Sequence, residues 1–195
     1  MFIIMMSVSS FTCVSINTVD ETLLTLTWIC TTCVLQISTG NLFISDYRQG
    51  ILEQYFIQPV SSHLIIAFKI FNHWLLFGVS MSIIAAIFHC FSGESMTRSL
   101  TLGISLLFNT LIIINISAVG HALMIGQENL TSEISQILIL PLIMPTFIYF
   151  KLLAQCTSVL VTTYMLFITL LICIIVIVNS ALATHMALRY AIEQD

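Results

Sequence analysis

Long uncharged apolar runs alternate along this chain with short knots of polar residues. The runs predict six spans. Met1–Ile16 is followed by Asn17, Thr18, Asp20 and Glu21, and Leu23–Ile44 by Ser45, Asp46 and Arg48. Leu64–Phe91 is followed by Gly93, Glu94 and Arg98, and Leu100–Ile125 by Gln127, Glu128, Asn129 and Glu133. Ile134–Phe150 is the fifth, and the sixth runs from about Val159 to Leu188. Each is close to the ~20 residues a helix needs to cross hydrocarbon, the first being somewhat short. It lacks the basic leading segment and small-residue cleavage site of a signal peptide, so it reads as a span. Backbone polar groups in lipid must be satisfied within the segment, which makes these spans α-helices. Barrel strands would alternate apolar and polar positions, and the run Ile172 to Val178 does not. The expected fold is an all-α membrane protein: one domain, residues 1–195, built as a bundle of six transmembrane helices.

The stretch from Ser45 to Pro59 breaks the pattern. Its apolar residues Ile51, Leu52, Tyr55 and Phe56 recur at a spacing that gives one apolar face to a short helix lying along a membrane surface. Pro59 forbids a straight run into the third span. Two readings stand for this stretch: a plain connector, or a helix that docks another protein.

Composition narrows the function classes. Hydrophobic residues make up 58% of the 195 and charged residues 7%, with mean hydropathy +1.08. A soluble domain carries about 25% charged residues, so a water-soluble enzyme is excluded. A net charge of −4 with only five bases leaves no basic patch for nucleic acid. Six span crossings put both termini on one side. With the termini inside, Arg48, Lys69 and Arg189 fall inside and Arg98 and Lys151 outside, a small majority for that orientation.

Chemistry is sparse. The chain has no Gly-Lys pair, hence no P-loop, and any ATP site lies on a partner. No catalytic residues are expected. Cys30 and Cys33 form a Cys-x-x-Cys, but Val34 stands where c-type haem attachment requires histidine, and no second ligand pair suits zinc. These cysteines, like Cys13, Cys90, Cys156 and Cys173, read as small hydrophobes, and no metal site is expected. Lys69 and His73 are one turn apart on the third span, with Trp74 beside them. Lys69 either snorkels to the interface or joins a polar strip that meets an anionic substrate or an acid of the 45–59 segment. Pro141 and Pro145 are expected to kink or break the fifth helix, as architecture or as a gate.

The run Asp46, Gly50, Leu52-Glu53-Gln54 and Pro59, followed by Lys69 and His73-Trp74, resembles the haem exporter protein B family. So does the proline-paired run Leu138 to Pro145. That family is the membrane subunit of the ABC transporter of cytochrome c maturation in bacteria and mitochondria. The chain departs from the family at its start, which commonly carries a basic amphipathic segment, at Gln49, and in the acidic loop around Glu128.

The resemblance implies a permease in a bilayer, with a cytoplasmic helix between spans two and three that meets a separate ATP-binding subunit. The coupling residues would be Asp46, Gly50, Leu52, Glu53, Gln54 and Pro59. Lys69, His73, Trp74, Pro141 and Pro145 would serve substrate passage or gating. Other haem-handling membrane subunits and a second copy of the chain are the implied partners. Haem enters as a candidate substrate, with no resident cofactor. The implied location is a bacterial inner membrane or, alternatively, the mitochondrial one. The competing function is a non-transporting scaffold for cytochrome c assembly factors.

Overall fold

A computed structural model describes residues 19–57, 61–93, 95–125, 132–155 and 159–193. The expected first span, 1–16, lies outside them, as do Pro59 and the loop around Glu128. Every described element is helical: α1 Val19–Arg48, α2 Ile51–Ile57, α3 Ser62–Phe91, α4 Met96–Met124, α5 Ser132–Gln155 and α6 Val159–Glu193. Four of them, α1, α3, α4 and α6, contain stretches long and apolar enough to cross a membrane. The apolar part of α5, Ile139–Leu153, is shorter.

The helices differ in detail from the sequence expectation. Ser45–Arg48 belongs to α1, because a helix need not stop where its apolar run stops. The break comes at Gly50, whose φ of +69° is the left-handed conformation that ends helices, with its N–H on the Tyr47 carbonyl. The surface helix is therefore only Ile51–Ile57. α5 is also not broken: it continues through both Pro141 and Pro145. Finally, α3 contains a π turn at Trp74–Gly78. There the Trp74 indole lies over Gly78, where a Cβ would come within 2.5 Å of the ring.

Cross-helix contacts set the directions. Asp46–Lys69, Ser38–His73 and Thr27–His89 run in opposite sequence order, so α1 and α3 are antiparallel. Cys173 Sγ donates to the Phe108 carbonyl and Ser180 Oγ to Asn115 Oδ1, both 65 residues apart, so α4 and α6 are parallel. α4 is the hub. It packs on α1, α3, α5 and α6, and it buries Ser99, Ser105, Asn109, Thr110, Asn115, Ser117 and His121 along with its apolar core residues. Close packing at the hub depends on small residues: a Cβ at Gly103 would fall 2.8 Å from that of Ala86 on α3.

Candidate functional site

The structure brings Asp46 of the 45–59 segment into contact with Lys69 of α3. Asp46, on the last turn of α1, is only 9% exposed. Its Oδ2 takes a salt bridge from Lys69 Nζ on α3 and a 2.7 Å hydrogen bond from the Tyr55 hydroxyl on α2. One carboxylate thus ties three helices. Lys69 Nζ also lies 5.5 Å from the Phe43 ring centroid, a cation–π contact. Burial, then the hydrogen bond to Asp46 and the charge of that carboxylate, push the Tyr55 phenol up to about 12.

The short α2 is held from below. Leu52 is fully buried, Ile51, Tyr55 and Phe56 are half-buried, and Glu53, Gln54 and Ile57 face outward. The Phe56 ring stacks on His185 of α6, and His185 stacks on His63 at 3.5 Å while its Nε2 pairs with Ser62 Oγ at 2.8 Å. A helix of two turns has no stability of its own in water. Its position here is set by Leu52, by Phe56 and by the Tyr55–Asp46 bond.

The remaining candidate residues are placed as follows. His73 is buried one turn below Lys69, with Nε2 3.4 Å from Ser38 Oγ and its ring 4.7 Å from that of Phe77. Trp74 Nε1 reaches the Leu107 carbonyl at 3.4 Å and Thr110 Oγ1 at 3.3 Å on α4. Asp46 and Lys69 are brought into contact, whereas Glu53 and Gln54 point away from that cluster. Pro141 and Pro145 stand apart on α5, both exposed. Among the described residues no group of three or more His, Cys, Asp or Glu is arranged to hold a metal ion.

Sequence reasoning missed Tyr55, Phe43 and Ser38 as members of the site. Tyr55 carried a usable signal: a tyrosine on an otherwise apolar face brings a hydroxyl that needs a partner when half-buried. The acid it finds is Asp46, nine residues away across a glycine turn, and not the outward-facing Glu53 two residues before it.

A family model described as CcmB protein matches residues 15–194. Heme exporter protein B of Pseudomonas aeruginosa is 30% identical over 123 residues, which cover 63% of this chain and 55% of that protein. The match thus spans little more than half the length of that relative. The family match extends over nearly the whole sequence, and the chain belongs to the CcmB family.

Proposed function

We propose that this CcmB family member is the membrane permease subunit of an ABC exporter that serves cytochrome c maturation, with haem or a haem-linked molecule as cargo. The name of the Pseudomonas aeruginosa relative supports the cargo. The observation that carries the permease role is the three-helix cluster at Asp46. An ATPase subunit pressing on α2 would meet its outward residues Glu53, Gln54 and Ile57. The Tyr55–Asp46 bond then passes that motion to α1, and the Asp46–Lys69 salt bridge passes it to α3. Both are long apolar helices, so a small movement at one membrane face is carried across it. In this reading α2 is cytoplasmic, the membrane is a bacterial inner membrane, and a second copy and other haem-handling subunits complete the complex.

The test is co-expression with a P-loop ATPase subunit encoded beside this chain, reading co-purification, ATPase rate and c-type cytochrome yield. Wild type should co-purify with the ATPase and alter its rate. Glu53→Lys reverses a charge on an exposed face, so the chain should reach the membrane in normal amount while cytochrome yield falls about tenfold, the equivalent of about 1.4 kcal/mol of lost coupling. Normal yield in Glu53→Lys would reject docking through α2. Failure of any ATPase to co-purify would favour the scaffold over the permease.

A further inference from the structure

Trp28, Thr32 and Gln36 stand four residues apart on α1. They form one stripe rising about 6 Å per step through the middle of the helix. All three are buried, at 6%, 4% and 5% exposure. Trp28 Nε1, Thr32 Oγ1 and the Gln36 Nε2 have no hydrogen-bond partner among the described residues. On α4, which packs against α1, fully buried Ser117 has an equally unpartnered hydroxyl. One turn further along α4, His121 hydrogen-bonds the backbone of Gln36. α5 closes the third side. Phe147 packs on Trp28 with ring centroids 4.8 Å apart, and Ile139 covers Gly120 so closely that a Cβ there would come within 2.5 Å of it.

Local chemistry offered Thr32 a way out that it does not take. Thr27, Thr31 and Thr39 on the same helix each donate to the carbonyl one turn back, at 2.8, 2.7 and 2.6 Å. The Thr32 hydroxyl is left for another partner. In hydrocarbon no solvent is at hand to satisfy such groups, so each disfavours the closed seam and favours a state in which an acceptor enters. Each of the four can donate: an indole N–H, an amide N–H and two hydroxyls. The α5 backbone ladder is weakened beside the seam. Pro141 and Pro145 remove two N–H donors from its ladder between Ile139 and Phe147, the residues that cover the seam.

We propose that the α1–α4–α5 seam opens during the working cycle into a wetted path for a hydrogen-bond-accepting, carboxylate-type group of the cargo, with Trp28, Thr32, Gln36 and Ser117 as its donors. This rests on the transporter reading above and adds the route.

Thr32→Cys and Ser117→Cys, each in the full chain freed of its own cysteines and assembled with the ATPase subunit in proteoliposomes, test it. Leu35→Cys, on the same helix and fully buried in the hydrophobic core, is the control. During ATP turnover the Thr32 and Ser117 positions should react with an anionic methanethiosulfonate reagent at least about tenfold faster than at rest, the effect of replacing a closed apolar contact by one charge-assisted hydrogen bond. Leu35→Cys should stay unreactive. The anionic reagent should also outpace a cationic one, after each is normalised to its rate with a free thiol. Silence at both positions while ATPase coupling is normal overturns the seam and spares the permease reading. A faster cationic reagent overturns the donor-lined path. Absence of any ATP-dependent assembly removes the permease reading and the opening with it. Ser117→Cys exchanges a single atom, so it decides the matter if Thr32→Cys fails to accumulate.

Discussion

α4 and α6 are both long apolar helices, yet they occupy opposite situations. In its most hydrophobic stretch α4 is 72% buried, and α6, the most hydrophobic helix of the chain, is 11% buried. α4 carries buried Ser99, Asn109, Asn115, Ser117 and His121, while the outer side of α6 is a stripe of Ile168, Ile172, Ile175, Leu182 and Met186. The rule of a water-soluble core is turned over. Where the solvent is hydrocarbon, burial of an apolar side chain gains little, and polar or small side chains mark the surface that meets another helix. The difference teaches which helix to disturb.

The largest effect is expected from size at the hub. Gly103→Leu on α4 places bulk against Ala86 Cβ, a methyl on a packed helix that cannot swing aside. Overpacking of this kind costs about 1–3 kcal/mol or more, and membrane abundance and detergent melting temperature should drop together. Val178→Leu adds a methylene on the exposed side of α6 and should leave both unchanged. Equal loss in the two variants would break the comparison.

The same change should then have opposite signs in the two helices. Asn115→Ala on α4 removes the acceptor of the 2.5 Å bond from Ser180 and should lower stability by about 1–2 kcal/mol. Asn179→Ala on α6 removes an exposed amide whose only described bond is to its own helix, at the Ile175 carbonyl, and should raise insertion and abundance. Parallel melting curves of the two variants in one detergent decide this. If Asn179→Ala lowers abundance instead, the outer face of α6 is not a lipid face.

Ser180→Ala is the smallest and sharpest of the set. The change removes the hydroxyl's bond to Asn115 Oδ1 across to α4 together with its 3.1 Å bond to the Ile177 carbonyl, which lies within α6 itself. About 0.6 kcal/mol is the usual size of such an intramembrane bond. A double variant with Asn115→Ala should be no worse than Asn115→Ala alone. Additive losses would show that the two side chains act separately.

The candidate site was legible in its members and opaque in its assembly. Asp46 and Lys69 stand out as charges in a chain that has few. Helix phase puts Lys69 and His73 on one face, but it does not say whether that face meets lipid, headgroups or an acid. The structure resolves Lys69 onto Asp46, 23 residues earlier. The apolar quartet of α2 was readable from spacing, and three of its four residues are half-buried while Leu52 is fully so. The extent of α1 was not readable, because the charges of Asp46 and Arg48 signal the end of the hydrocarbon and carry no instruction to end the helix.

The sequence by itself determined that the chain is helical, that its helices suit a bilayer, and that the stretch from Ser45 to Pro59 holds a different kind of helix. Those follow from backbone hydrogen bonds that lipid cannot satisfy, from run length, and from the spacing of Ile51, Leu52, Tyr55 and Phe56. Only the tertiary structure decided that α4 is the hub, that α6 is nearly bare, that Tyr55 and Lys69 share one carboxylate, and that Trp28, Thr32 and Gln36 face a closed seam. A membrane helix is apolar on every side, so hydrophobicity carries no information about which side meets protein. That information lies in the fit of small and polar groups between helices distant in sequence, and it exists only once they are packed.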